Sequence, residues 1–289
     1  MHLNHDQVNQ EIKKYEHVLY GPFVGEFGWE LMSCQGYLRK LREDNPHIKS
    51  FNVISRTGRD FLYEDFVDSY IEYDCPGNGM TGALCMDYVY DNFHLKAAEF
   101  LGLDKYIWIP TQTLLVDYHA HGPGREQRLP KFLNSQKFIK YESDKIKDSP
   151  YDLLIHARDS HHHDTAGKNW PHYKWDYLVE NLSKDYNIAA IGSKNGSYVP
   201  AGCTDLRDIP LEETVSYFNQ TKGLITSCSG PAHLASLCAT PLIVMTVEQN
   251  RNRYESDWNP HKSDRCVIID SWDPDEKMVL QRTTEFLNR

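Results

Sequence analysis

The chain has 289 residues, of which 40% are apolar and 12% aromatic, and a formal net charge of −10. That composition excludes a disordered or collagen-like chain and fits one large domain or two smaller ones. The acidic balance sets the average surface against a phosphate backbone, so nucleic acid is not the default partner.

A polar helical leader precedes Val18 to Val24, a short apolar run that ends in glycines, and Glu30 to Glu43 then carries helical spacing. The order is strand, glycine turn, helix. Phe51 to Ser55 reads as the next strand, followed by a short strand near Tyr70 to Tyr73, a helix over Ala97 to Leu101 and a strand over Tyr106 to Ile109. Between Gly122 and Pro150 the composition is that of a linker, which places a boundary near residue 145. Residues 1–145 then form one unit and residues 146–289 a second.

The second half predicts strands at Leu153 to Ala157, Ile188 to Ile191, Leu224 to Ser227 and Leu242 to Val247. Helices fall between them at Trp175 to Leu182, Leu211 to Phe218 and Ala232 to Cys238. Strands separated by helices imply parallel sheets covered by helices on both faces. Near the end, Asp273 as N-cap, Pro274 at the first helical position and Glu276 at the third open a terminal helix, Lys277 to Leu287. This capping signature is preferred over a metal-binding carboxylate pair at Asp273 and Asp275.

No apolar run approaches the roughly 20 residues of a membrane span, and Met1 to Glu16 lacks a signal-peptide core. A soluble, cytoplasmic protein is expected. The seven cysteines (34, 75, 85, 203, 228, 238 and 266) show no C-x-x-C spacing, which favours reduced thiols used as small core side chains.

The most specific segment is Gly223 to Pro241, G-L-I-T-S-C-S-G-P-A-H-L-A-S-L-C-A-T-P. A β-run ends at Ser227-Cys228-Ser229-Gly230 and a helix starts near Pro231, exposing unpaired amides and a positive dipole end suited to an anion. Ser229 and His233, one turn into the helix, can add donors to a diphosphate. The bland alternative has Ser229 as a cap and His233 packed on the sheet. His156-Ala157-Arg158-Asp159, at a strand end, offers Arg158 as a second phosphate reader, because its fork matches two phosphate oxygens. His161-His162-His163-Asp164 lacks the spacing that gathers ligands on one metal, so no metal is assigned. Gly21 to Leu31, G-P-F-V-G-E-F-G-W-E-L, is a glycine-rich strand-to-helix turn that departs from the dinucleotide fingerprint.

The segment from residue 150 to 247 resembles the ADP-heptose:lipopolysaccharide heptosyltransferases. In that family a strand ends in an acidic residue, Ser or Thr, Gly, two variable residues and His-Leu-Ala. Here Cys228 stands at the acidic position, followed by Ser229, Gly230 and His233-Leu234-Ala235. Lys168-Asn169-Trp170-Pro171 is similar to the family's K-x-W-P after a phosphate loop, which implies Lys168 against the donor phosphates and Thr165 as a hydroxyl donor. Asp205-Leu206-Arg207-Asp208 resembles the connection before the signature strand. His156-Ala157-Arg158 also resembles the H-x-R turn of fucosyltransferases. Gly25-Glu26 occupies the place of a glycine and a general-base aspartate, which implies Glu26 as base, against a helix-capping role, with Glu30 as substitute.

The resemblance implies a GT-B arrangement: two Rossmann-like α/β domains facing a cleft, acceptor side first, with the terminal helix packing back on the first domain. It implies a metal-independent, inverting glycosyltransferase that takes a nucleotide-sugar donor as substrate, needs no cofactor and uses a saccharide acceptor. Three rivals remain: a nucleotide-sugar epimerase, a non-catalytic sugar- or nucleotide-binding protein, and a transferase acting on modified DNA bases. The last would use a basic patch at Arg39, Lys40, Arg42, Arg56 and Arg59.

Overall fold

The computed structural model describes residues 5–73, 92–111, 134–161 and 166–289. The chain divides into two compact units, Met1–Phe138 and Ile139–Arg289. In the first, the leader folds as α1 (His5–Glu11) and four parallel strands follow: β1 (His17–Tyr20), β2 (Ser50–Ser55), β3 (Ser69–Glu72) and β4 (Ile107–Ile109), in the spatial order β3-β2-β1-β4. β1 is central, with Val18 opposite both Phe51 and Ile107.

The apolar run predicted to stay extended to Val24 leaves the sheet at Tyr20. Gly21 adopts φ +100°, and a Cβ there would lie 2.2 Å from the Ile54 carbonyl oxygen, so the turn needs glycine. Its amide donates to Ile109 O and that of Phe23 to Ile54 O, which pins the turn between β4 and β2. The helix after it is not one regular rod. A single turn, Phe27–Trp29, runs into a π-turn, Glu30–Cys34, and then into α2, Gln35–Asp44. The later helix α3 spans Phe93–Phe100.

The π-turn carries Glu30 into the interior, where it is 0% exposed. Its carboxylate accepts from Ser55 Oγ and from Tyr63 Oη at 2.8 Å, and pairs with Arg59 at 3.4 Å. Arg59 also lies 3.8 Å from the centroid of the Phe27 ring. The Cys34 thiol, pushed up by burial, bonds Tyr20 Oη at 3.0 Å beside this network. The proposed basic patch therefore does not exist as an open surface. Arg39 forks onto Asp65 with two 2.8 Å bonds, Lys40 pairs with Asp44, Arg42 with Asp68, and Arg59 with Glu30, while Arg56 donates to Val24 O.

The second unit holds a seven-stranded sheet among the described residues. Its strands are β5 (Leu153–Arg158), β6 (Ile188–Ala190), β7 (Ser197–Tyr198), β8 (Thr204–Asp205), β9 (Gly223–Ser227), β10 (Leu242–Thr246) and β11 (Arg265–Ile269). The parallel order is β11-β10-β9-β5-β6-β8, with β7 antiparallel to β5. Sequence patterning missed β7 and β8, which are two residues each, and the edge strand β11. The helices are α4 (His172–Leu182), α5 (Leu211–Gln220), α6 (Gly230–Leu237) and α7 (Glu276–Leu287).

Alternation along β5 sends Leu153, Ile155 and Ala157 into one core with Trp170, Trp175, Leu178 and Ile225. Val279 and Phe286 of α7 join that core, so the terminal helix is part of the second unit. Residues 139–149 read as linker in the sequence, yet they are bound to the second unit: Tyr141 N donates to Leu237 O and Ile146 N to Ser216 Oγ. The terminal cap is also shifted. Asp275 caps α7 by accepting from the Lys277 and Met278 amides, because Asp273 is taken by Lys174 and the Pro274 carbonyl by Trp170 Nε1. Among the described residues, no helix is long and apolar enough to cross a membrane.

Replacing Arg59 with Met leaves the buried Glu30 carboxylate without its cation, which costs about 3 to 5 kcal/mol. Urea unfolding of Arg59→Met should show a loss of that order; a loss below about 1 kcal/mol would mean that the pair does not hold the π-turn.

Candidate functional site

The chemistry-bearing turn lies beyond the carboxyl end of β9, a strand buried at every position between β10 and β5. Ser229 is extended (φ −159°, ψ 169°) at the N-cap of α6, and Gly230 and Pro231 begin the helix. Proline has no amide to strand there and fixes a helical φ, so the start is sharply defined. The alternative in which Ser229 caps the helix is not what the structure shows: its side chain makes no cap bond. The hydroxyl turns back to His156 Nδ1 at 3.0 Å and Thr226 Oγ1 at 3.1 Å. His156 and Thr226 are register partners on β5 and β9.

His156 is 2% exposed, and Nε2 has no hydrogen-bond partner among the described residues. Burial, then the Arg158 cation, pulls its pKa down to about 3, so the ring is neutral near pH 7. A Ser–His pair at this distance invites comparison with a nucleophile and its base. An imidazole so weakly basic is a poor proton acceptor for a serine, and the oxygens around Nδ1 are hydroxyls rather than a carboxylate. Ser229 is therefore a positioned dipole.

Arg158 ends β5 half-buried and donates to Asn169 Oδ1 at 2.8 Å. Asn169 also accepts from Ser160 N and donates to Ser160 O, clamping the end of β5 to the single turn Ala166–Lys168. Lys168 is half-buried with Nζ 5.6 Å from the centroid of Trp272. The same segment is braced by Trp170 Nε1 to Pro274 O at 2.9 Å and by Lys174 to Asp273 at 2.7 Å. Thr165 and most of the histidine run, 162–164, lie outside the described residues, and His161 is exposed. Among the described residues, no cluster of three or more His, Cys, Asp or Glu side chains could hold a metal ion.

His233 is buried on α6, stacked on Tyr254 at 5.6 Å and edge-on to Trp258 at 4.5 Å. Burial, then Arg253 and Arg265, holds it well below the usual histidine pKa. It is a neutral ring whose Nδ1 has no partner among the described residues. Cys228 is half-buried, and its thiol is one of the groups that, after burial, raise the Tyr254 hydroxyl.

In the first unit, Glu26 sits half-buried at the N-cap position of Phe27–Trp29, but its carboxylate makes no cap bond. Its carbonyl accepts the Trp29 and Glu30 amides at 3.1 Å. Glu30, the substitute candidate, is consumed by Arg59, Tyr63 and Ser55. Sequence reasoning gave no role of their own to His156 and Asn169, which entered only as the neighbours of Arg158 and Lys168 in H-x-R and K-x-W-P.

No protein-family model matches the sequence, and a search of the curated proteins finds no match. Solved structures do share the fold. E. coli ADP-heptose LPS heptosyltransferase II superposes with a TM-score of 0.63 at 15% identity, covering 95% of this chain and 99% of that one. A glycosyl transferase family 9 protein from Veillonella parvula gives 0.60 at 13% identity, with 95% and 97% covered. The E. coli heptosyltransferase WaaC with ADP gives 0.53 at 14% identity, with 93% and 97% covered. The expected class, two Rossmann-like α/β units with helix-covered parallel sheets, is the fold observed.

Because His156 and His233 are neutral when folded and titrate near 6.5 when unfolded, acid favours the unfolded chain. Each contributes stability that is fully present above pH 6.5 and is lost as pH falls, for His156 down to about 3. The slope is about 1.4 kcal/mol per pH unit per histidine. Urea unfolding between pH 7 and 5 should show His233→Phe with a shallower pH slope than the parent by up to one proton; equal slopes would mean that His233 titrates freely in the folded protein.

Proposed function

We propose that this protein is a glycosyltransferase that moves a sugar from a nucleotide-diphosphate sugar to the hydroxyl of a saccharide acceptor, with inversion and without a metal. The observation that carries this is the turn from β9 through Ser229 into α6. A helix start lies beyond the carboxyl end of a central parallel strand, where ligands of open α/β sheets bind. The fold likeness supports it, since one of the proteins sharing the fold was solved with ADP.

In this proposal the second unit holds the diphosphate. The Gly230 amide at the start of α6 donates to it, the Ser229 hydroxyl and the neutral His233 ring add dipoles, and Arg158, Lys168 and the Thr165 hydroxyl complete the set. These fixed donors stabilise charge as it grows on the departing diphosphate, each worth on the order of a hundredfold in rate. The cations supply the positive charge that a metal would otherwise bring. The first unit supplies Glu26 as general base for the acceptor hydroxyl, and attack opposite the leaving diphosphate inverts the anomeric carbon.

A thermal-shift screen with ADP, UDP, GDP and their sugars tests the donor site, because a ligand that binds only the folded chain raises its Tm. One nucleotide class should shift the midpoint, and no shift with any would overturn the proposal. With that donor, Glu26→Gln should lower turnover about a hundredfold at nearly constant nucleotide affinity, whereas Lys168→Ala should weaken nucleotide binding first. Product formed from donor alone would instead identify an epimerase, and binding with no turnover a non-catalytic receptor.

A further inference from the structure

The Ser229 hydroxyl has one hydrogen, and the groups around it decide where that hydrogen goes. Thr226 Oγ1 lies 2.9 Å from the Ser227 carbonyl and 3.1 Å from the His156 carbonyl, and carbonyls only accept. The Thr226 hydrogen is thereby directed at the main chain, leaving its oxygen to accept. His156 Nδ1 stands 3.0 Å from Ser229 Oγ and 3.2 Å from Thr226 Oγ1, while Nε2 is buried with no partner among the described residues. A buried N–H with no acceptor is worse tolerated than a lone pair with no donor. The single hydrogen of the neutral ring therefore belongs on Nδ1.

We propose that His156 is a positioning residue for the donor nucleotide: its Nδ1–H donates to Ser229 Oγ and so turns the Ser229 hydrogen outward, toward a phosphate oxygen. This rests on the α6 turn being the diphosphate site. The Ser229 hydrogen has Thr226 Oγ1 as an acceptor within the protein, 3.1 Å away, and an incoming phosphate replaces it. The ring cannot swing aside to relax the arrangement. A Cβ at Gly192 would come within 2.7 Å of His156 Cδ2, which shows how closely the backbone of the loop after β6 presses on the ring. The β5–β9 pairing fixes its other side.

The test uses the full chain and calorimetric titration with inorganic pyrophosphate, ADP, UDP and GDP. Against the tightest of these, Ser229→Ala and His156→Leu should each weaken binding about tenfold, the strength of a hydrogen bond to a charged group. The double variant should be no weaker than either single one, because both remove the same bond. His156→Asn, whose amide can still donate, should bind within about threefold of the parent. Nitrogen-15 NMR of the parent should show the proton on Nδ1. Unchanged affinity in His156→Leu, additive losses in the double variant, or a proton on Nε2 would each overturn the proposal. If His156→Leu does not fold, the parent's tautomer and the Asn variant decide: an Asn variant as weak as Ser229→Ala overturns it. Failure of the parent to bind any probe is a different result, and removes the diphosphate site itself.

Discussion

His156 and Thr226 stand side by side on neighbouring parallel strands, and their pairing brings two parts of the chain 70 residues apart to one crest of the sheet. The Ser229 hydroxyl is held there by His156 and Thr226 rather than by a cap bond to α6, while its carbonyl accepts the Ala232 amide at 3.2 Å. The register of β5 against β9 is thus the constraint that sets the Ser229 turn. Slipping it by one residue would send His156 to the opposite face.

The first unit solves a different problem. It holds a half-buried carboxylate, Glu26, on a short turn and buries a second one, Glu30, a helical turn later. The π-turn makes this possible by widening the helix where Glu30 enters, and Arg59 closes the charge while lying on Phe27, the neighbour of Glu26. Burying an ion pair is seldom a net gain in stability, but it fixes one arrangement among several. Here it anchors the turn beneath Glu26.

Much of the fold was legible because β1, β2, β5, β9 and β10 are short runs rich in apolar residues with helical periodicity between them. The Ser229 turn was legible because strand end, serine, glycine and proline are adjacent in sequence. What patterning missed was tertiary. Asp273 and Asp275 are equally good caps locally, and only the hold of Trp170 and Lys174 on residues 273 and 274 decides between them. The cations at 39, 42 and 59 looked like a patch because charge counting ignores partners such as Asp65 and Glu30. The packing of His233 on Tyr254 and Trp258 was not legible, because those neighbours come from a segment with no clear periodicity. His156 was visible, but its contact with Ser229 spans 73 positions that no local pattern encodes.

The indole bond from Trp170 to the Pro274 carbonyl has a consequence for biosynthesis. The Lys168 turn is synthesised more than a hundred residues before the carbonyl that braces it. During translation that turn keeps only its Asn169 clamp until the stretch leading into α7 has left the ribosome, even though β5 and β9 can already pair. A nascent chain stalled before Pro274 would therefore present the Ser229 crest with the lysine turn held by Asn169 alone, and the second unit would acquire the last brace of that turn only at the final stage of its own making.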